Sequence, residues 1–332
     1  MRWMLTAAVL LSSLAMMPAQ TIVSPTTKDS DHDGLSDAQE AALLAQFAPR
    51  FMVSADDCSV RPAQFVPWQA KPVVEREDGT IYGQATPRAG HADEVELHFY
   101  HLWKTDCGRM GHNLDAEHVS ALVTQDQDSS WKALYWYAAA HEDTVCDASQ
   151  IARATTVDGG SRGPEIWISR GKHASFLSEK ICAHGCGGDN CHETMPLAGT
   201  SVINLGELNA PMNGAVWAGS PAWPLAAKMQ RSDFADARTA RVDELPLTSI
   251  AWANPQKRPM QAVIHSGNNT LAGVATGERD TGTALDLAKT DTGQALTGAR
   301  GSTHKGLARA IRGVGSALRA TVTKTGKALA GH

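Results

Sequence analysis

The chain has 332 residues, of which 42% are hydrophobic, and a formal net charge of −5 at pH 7. This length accommodates one large domain with appendages, and the net acidity argues against a nucleic-acid partner. Beyond the N-terminal segment, no run approaches the roughly 18 consecutive apolar residues of a transmembrane helix, so we expect a soluble mature protein.

Residues 1–19, MRWMLTAAVLLSSLAMMPA, combine an early Arg2, an apolar stretch and a small-residue exit. These are the three parts of a secretory signal peptide, and we expect cleavage near Ala19. The sequence therefore predicts an exported protein, either secreted or periplasmic.

Acidic residues follow at regular spacing in DSDHDGLSDAQE, residues 29–40. The twelve-residue calcium loop takes ligands from positions 1, 3, 5, 7, 9 and 12, with Gly at position 6. Those ligand positions are filled here by Asp29, Asp31, Asp33, the Leu35 carbonyl, Asp37 and Glu40, with Gly34 at the turn. We therefore expect a bound Ca²⁺ that attaches the N-terminal segment to the body. No amphipathic helix precedes the loop, so the unit is half an EF-hand, followed by a helix predicted over residues 37–51.

The central part of the chain has the pattern of a β protein. The clearest strand predictions are VELHFYHLW (95–103), HVSALVTQ (118–125), WKALYWYAAA (131–140) and EIWISR (165–170). In the first of these, apolar positions alternate with more polar ones, which favours a half-buried strand. Several short strands separated by Gly, Pro and Asp clusters predict a β-sandwich.

The cysteines are even in number, which favours disulfides in an exported protein. They are Cys58, Cys107, Cys146, Cys182, Cys186 and Cys191. If all are paired, at least one of the three in CAHGCGGDNC must reach one of the other three. The alternative is a zinc site built from those three cysteines with His184 or His192.

A polar run, TDCGRMGHNLDAEHV (105–119), contains four potential metal ligands: Asp106, His112, Asp115 and Glu117. Asp115 and Glu117 are two residues apart, so on a strand they project from one face, and we expect Asp106 and His112 to fold over that face from the preceding loop. This mostly oxygen ligand set favours Ca²⁺, Mg²⁺ or Mn²⁺. The alternative is a polar strand edge without metal.

Three other histidines lie near this run or in the predicted strands. Two of them have two possible roles, and the third faces away from the site. His101 lies on the apolar face of its strand, where a hydrogen-bonded core residue is the commoner role, although it could line the cavity. His118 follows Glu117 onto the opposite face. His173, in GKHASF, either lines the same cavity or anchors a turn.

Several short motifs resemble known families. AQFAPRFMVSADDCSVRP, GKHASF and the Trp-rich NLGELNAPMNGAVWAGSPAWPLAAKM resemble segments of the family related to vacuolar sorting protein 62. GHNLDAEHV is similar both to that family and to the heptapeptide GHRHDWE of the necrosis- and ethylene-inducing-peptide-like cytolysins. The cytolysin resemblance implies a β-sandwich with a cavity that holds a divalent cation needed for membrane damage.

The cytolysin resemblance also implies the ligand set. Its His, Asp and Glu correspond to His112, Asp115 and Glu117, and its fourth ligand is an Asp eight residues before the His. Here Asp106 stands six residues before His112, and Leu114 and Ala116 replace the middle His and the Trp of the heptapeptide. These departures are compatible with a metal site and weaken, without removing, the implication of cytolysin-like activity.

The C-terminal tail repeats every eleven residues. Its repeated leucines are Leu285, Leu296, Leu307, Leu318 and Leu329. Because eleven residues make three helical turns, these leucines form one stripe of a helix, and the surrounding Lys and Arg residues favour an anionic lipid surface. Seven glycines within 283–330 weaken the helix in water, so we expect it to form only on lipid. The alternative is a disordered basic extension without a binding role.

Together these features predict a mainly β protein with five regions: a signal peptide (1–19), a calcium loop with its helix (20–46), a β-sandwich (47–255), a linker (256–280) and a basic tail (281–332). The leading functional hypothesis is a secreted, cation-dependent protein that associates with lipid, with a lipid headgroup or glycan at the central cavity and no catalytic residues. The second is a metal-dependent hydrolase in which Glu117 or His112 activates water. The third is a non-catalytic structural module.

Overall fold

A computed structural model describes residues 28–108, 111–186, 188–206 and 219–257. The predicted signal peptide, the linker beyond Lys257 and the eleven-residue repeats lie outside the described residues. Within that range the protein is mainly β, with two packed sheets and a short helix near the N-terminus. No helix in the described part of the chain combines the length and apolarity needed to cross a membrane.

The described elements are mostly strands, of which β3 and β4 are the longest with 13 and 14 residues, and a few short helices lie between them. The helices are α1 (Asp37–Gln46), α2 (Glu179–Cys182) and α3 (Asp236–Asp243). The strands are β1 (Arg50–Ser54), β2 (Thr80–Pro87), β3 (Glu94–Asp106), β4 (His112–Gln125), β5 (Trp131–Ala138), β6 (Gln150–Arg153), β7 (Glu165–Ile168), β8 (Ser175–Phe176), β9 (Thr194–Pro196), β10 (Ser201–Asn204) and β11 (Ile250–Trp252). All four predicted strands are therefore present, as β3, β4, β5 and β7.

The strands form two sheets. The larger has seven strands in the order β10-β2-β3-β4-β5-β6-β11, antiparallel except for the β10–β2 pair. The smaller has the order β8-β7-β1-β9, with β1 and β7 parallel. The long β3–β4 hairpin lies in the middle of the larger sheet. Its last cross-strand pair before the turn is Asp106 opposite His112.

The main hydrophobic core lies between the two sheets. The odd-numbered apolar residues of β3, among them Leu97 and Phe99, face it together with Phe51 of β1 and Ile166 of β7. Trp136 of β5 stacks on Phe99 at a ring-centroid distance of 6.3 Å. Burial of such large side chains, each contributing roughly 1.5–3 kcal/mol, holds the sheets together.

The prediction that β3 is half-buried is wrong, because its second face is buried as well. Residues 219–253 cover the outer face of the larger sheet and end in β11, which forms an edge strand of that sheet. Trp223 packs against Tyr82 and Tyr100, with ring centroids 5.2 and 6.3 Å away. Further along the segment, Phe234 belongs to a hydrophobic cluster with Tyr137. The polar residues of this face consequently lie in the interior.

The helix predicted over 37–51 is shorter in the structure and ends at Gln46. Ser36 caps its N-terminus by accepting a hydrogen bond from the Gln39 amide. The chain then enters β1 at Arg50, because Phe51 is required in the core between the sheets. Leu44 packs so closely on Gly83 of β2 that a Cβ there would lie 2.7 Å from the leucine.

All six cysteines are paired. The disulfides join Cys58 to Cys107, Cys146 to Cys186, and Cys182 to Cys191. As expected for full pairing, one cysteine of the CAHGCGGDNC segment, Cys186, reaches outside it to Cys146. The zinc alternative for this segment is therefore wrong, because its thiols are consumed in disulfides.

Candidate functional site

The ligands predicted in 105–119 lie at the end of the β3–β4 hairpin. Asp106 is the last residue of β3 and His112 the first of β4, and the two are direct cross-strand partners. The expectation that they come from a loop is wrong, because β4 begins six residues before the predicted start at His118. The His112 Nε2 atom lies 3.6 Å from Asp106 Oδ2.

Asp115 joins these two residues. One ligand atom from each of Asp106, His112 and Asp115 lies within 4.8 Å of the others. In a regular strand His112 and Asp115 would point to opposite faces, but Leu114 between them has a φ of 59°, in the left-handed region. This local change of backbone direction brings the three side chains together, so they form a group that can hold a divalent cation. We call it the hairpin site.

Glu117 lies one step deeper along β4. It shares the Asp115 face of the strand, as expected from their spacing, but it does not belong to the group of three ligand atoms. Its side chain is buried, and burial together with the charge of Asp115 raises the pKa of Glu117 well above its usual range. A cation bound at the hairpin site would favour the ionised form.

His173 lies directly behind Asp115. Its Nδ1 is 3.2 Å from Asp115 Oδ2 and its Nε2 is 3.6 Å from Asp57 Oδ1, while its ring stacks on Trp103 at 4.5 Å. Burial opposes protonation, but the hydrogen bonds and charges of Asp115 and Asp57 outweigh it and raise the pKa of His173 to about 9. The imidazole is therefore a cation at neutral pH, held between two carboxylates.

Asp57 was missed in the sequence. Both of its carboxylate oxygens accept a hydrogen bond from the Gly171 amide, and burial of Asp57 is outweighed by the His173 hydrogen bond, which lowers the pKa of this aspartate. Its only signal is the position beside Cys58, whose disulfide partner Cys107 follows Asp106. That pairing could not be deduced from the sequence.

His101 lies in the interior, away from the mouth of the hairpin. Its Nδ1 accepts a hydrogen bond from Trp103 Nε1 at 2.8 Å, and its Nε2 is 3.2 Å from Ser175 Oγ. Burial, with the neighbouring His118 and His173, lowers its pKa well below the usual range. These contacts occupy both ring nitrogens, so His101 is a hydrogen-bonded core residue.

The predicted calcium loop forms a compact turn before α1. Carboxylate oxygens of Asp29, Asp31 and Asp33 lie within 4.8 Å of one another. Gly34, with a φ of +100°, supplies the sharp turn, and its amide donates a hydrogen bond to Asp29. Asp37 instead accepts hydrogen bonds from Ser30 and pairs with Lys28.

Glu40, at the last position of this loop, is the most informative of its residues. It is only 1% exposed, and its Oε1 atom has no hydrogen-bond partner among the described residues. Burial and the charges of Asp31 and Asp33 raise the pKa of Glu40 to about 9. A buried carboxylate oxygen beside two other carboxylates fits the bidentate ligand of a cation. A bound cation would give this oxygen a partner and would offset the repulsion between the three carboxylates.

Comparison with known proteins gives weak structural similarities. NLPPya in complex with glucosamine is 13% identical, with a TM-score of 0.32 over 57% of this chain and 79% of that chain. Necrosis and Ethylene inducing Protein 2, from the causal agent of cocoa's witches' broom disease, is 16% identical, with a TM-score of 0.31 over 49% and 72%. The non-toxic HaNLP3 protein is 12% identical, with a TM-score of 0.32 over 54% and 79%.

These solved structures are of the cytolysin-like class, but likeness at this level assigns neither a family nor an activity to the chain. No protein-family model and no curated protein matches the sequence. The resemblance to the family related to vacuolar sorting protein 62 is therefore not supported. What the fold and sites define is a mainly β, disulfide-bonded protein with several groups of side chains that can hold a divalent cation.

Proposed function

We propose that this chain is an exported, divalent-cation-binding β-sandwich protein that associates with lipid or membrane surfaces and is not an enzyme. The convergence of Asp106, His112 and Asp115 at the end of the hairpin is the observation that carries this proposal. The three disulfides support it, since such bonds persist in secreted and periplasmic proteins.

The hairpin site has the shape of a centre that is open on one side. The His112 side chain is 56% exposed, whereas that of Asp106 is 16% exposed and that of Asp115 11%. A cation bound by these three side chains would have free coordination positions on its solvent-facing side, where other ligands could bind. Ca²⁺, Mg²⁺ and Mn²⁺ bind phosphate and hydroxyl oxygens readily, so a lipid headgroup or a glycan is the class of ligand that fits.

The remaining regions have supporting roles in this proposal. Calcium in loop 29–40 attaches α1 (within 20–46) to the sandwich (47–255), and the orphaned Glu40 oxygen supports this assignment. The linker (256–280) connects the sandwich to the basic tail (281–332), for which we propose anionic lipid as the partner.

Metal analysis of the purified protein tests the hairpin site. We expect at least two bound divalent cations, and Asp115→Asn with Glu117→Gln should remove one equivalent and leave the calcium in loop 29–40. The same double substitution, or EDTA, should abolish metal-dependent dye release from anionic vesicles. Asp158→Asn, on an exposed side chain, is the matched control. Full metal content in the double variant would contradict the site, and EDTA-insensitive dye release would contradict its role at membranes.

A further inference from the structure

A second group of metal-ligand side chains lies on the opposite face of the larger sheet. His98 of β3, His118 of β4 and Asp233, from the covering segment 219–253, each offer a ligand atom within 4.8 Å of the others. All three are buried, with exposures of 4%, 1% and 2%. We call them the back cluster. The β3–β4 register places His98 opposite Ser120 and His118 opposite Tyr100, so the two histidines lie diagonally on one face.

The spacing within the back cluster suits a small ion. Asp233 Oδ2 lies 2.9 Å from His118 Nε2 and 3.7 Å from His98 Nδ1. Nitrogen and oxygen ligands about 2.0–2.2 Å from a tetrahedral zinc ion lie roughly 3–4 Å from one another. The observed separations therefore need only small adjustments for one ion to contact all three atoms. Ser120 Oγ donates a hydrogen bond to Asp233 Oδ2 at 2.7 Å, which orients the carboxylate.

The far side of each imidazole faces another carboxylate. His98 Nε2 is 3.5 Å from Glu96 Oε2, and His118 Nδ1 is 3.9 Å from Glu142 Oε2. Histidines that bind metals usually direct the second ring N–H at a carboxylate or carbonyl, which fixes the ring and strengthens its basicity. Lys228 Nζ also lies 3.5 Å from His118 Nδ1 and 2.7 Å from Glu142. If Nε2 of His118 binds a metal, its ring proton lies on Nδ1, and of these two neighbours only Glu142 can accept a hydrogen bond from it.

The cluster also has a route to solvent. A cavity of about 240 Å³ is lined by Glu96 and His98, and by Arg231 and Ser232 of the covering segment. His98 is thus both a member of the cluster and part of the lining of this cavity, so the cavity reaches one of the three ligands.

We propose that His98, His118 and Asp233 bind a divalent transition metal of the zinc class, independently of the hairpin site and of the calcium loop. Two imidazole nitrogens and one carboxylate favour Zn²⁺ or Co²⁺ over the hard ions Ca²⁺ and Mg²⁺. Because Asp233 belongs to the covering segment and the histidines to the sheet, the ion joins segment 219–253 to the strands beneath it.

Zinc titration of the metal-stripped full chain tests the proposal. Wild type and the hairpin-site double variant should each bind one buried Zn²⁺ and gain melting temperature with it, while His98→Gln and Asp233→Asn should bind at least about 100-fold more weakly. Co²⁺ should give the absorption bands of a tetrahedral nitrogen and oxygen site in the wild type and in the hairpin-site double variant, and these bands should be absent from His98→Gln and Asp233→Asn. The disulfide-bonded cysteines do not compete for either ion.

His91→Gln is the matched control, since His91 is a half-exposed histidine outside the cluster. His98→Gln is preferred to a substitution of His118 because His98 lines the cavity. Circular dichroism of the metal-free His98→Gln variant shows whether that variant is folded. If wild type and a folded His98→Gln variant bind zinc equally, or if His91→Gln loses as much affinity, the back cluster is a hydrogen-bonded network and the proposal is wrong.

Discussion

The charges around Asp115 explain how the hairpin site tolerates several carboxylates near the protein interior. Asp57, Asp106 and Asp115 bring three negative charges, and the imidazolium of His173 offsets one of them because its pKa is raised to about 9. A divalent cation at the proposed site would balance the other two. Buried charges persist in proteins when they are paired in this way. His173 therefore supplies a fixed positive charge on the buried side of Asp115, and a bound cation would supply the rest on the exposed side.

Glu40 allows a direct test of the calcium loop. Without calcium its pKa is about 9, so the side chain is protonated at pH 7 and Glu40→Gln should leave the melting temperature in EDTA nearly unchanged. With calcium at about 100 times its dissociation constant, the wild type should gain about 2.7 kcal/mol, and the variant should lose most of that gain. Binding should release about one proton at pH 7, so wild-type calcium affinity should rise with pH towards 9.

Thermal unfolding in EDTA and in calcium measures both arms of this prediction. Glu75→Gln is the control, because Glu75 is an exposed glutamate outside the loop. An equal calcium-dependent gain in the Glu40→Gln variant would contradict a ligand role for this residue.

Among the elements, β3 shows what the sequence pattern could and could not predict. Alternation of apolar residues such as Leu97 and Phe99 identified the strand and its core face correctly. It misassigned the other face, because His98 and Glu96 are typical of a solvated surface when read alone. Their burial depends on residues 219–253, a mostly irregular segment more than 100 positions away, and local periodicity carries no information on such a contact.

The Cys58–Cys107 disulfide ties the loop that carries Asp57 to the hairpin that carries Asp106. Its two cysteines are 49 residues apart, for which the loss of chain entropy predicts a stabilisation of about 4 kcal/mol. Replacing both by Ser should lower the free energy of unfolding by about 2–4 kcal/mol, and it should also weaken cation binding at the hairpin site because both flanking aspartates lose their anchor.

Chemical denaturation and calorimetric metal titration separate these two effects. The control pair, Cys182→Ser with Cys191→Ser, opens a disulfide whose cysteines are 9 residues apart. It should cost less stability and leave the affinity of the hairpin site unchanged. Unaltered metal affinity in the Cys58/Cys107 variant would show that the disulfide stabilises the fold without positioning the ligands.

At the scale of the whole molecule, the sites are assembled from segments far apart in the chain. The grouping of Asp106, His112 and Asp115 could be predicted because these residues are close in sequence. The grouping of the carboxylates in 29–33 could be predicted because they follow the ligand spacing of a calcium loop. Asp57 and Asp233 were not predicted, since each comes from an irregular segment that reaches its partners only in the folded protein. Local motifs therefore reveal the first members of a site, and tertiary packing supplies the rest.

The tail is the region for which the molecule as a whole must be tested, since its repeats lie outside the described residues. Seven glycines in 283–330 cost a helix roughly 7 kcal/mol relative to Ala. The seven Lys and Arg residues of 292–332 gain about 1 kcal/mol each near an anionic surface. Burial of the leucine stripe adds to that gain. We therefore expect the full chain to cosediment with anionic vesicles and not with neutral vesicles. Binding to the anionic vesicles should weaken as the salt concentration rises. A chain truncated after Lys257 should keep its metal content and circular dichroism spectrum but bind anionic vesicles much more weakly. Equal vesicle binding by the two chains would show that the tail is a spacer and that any lipid contact belongs to the sandwich.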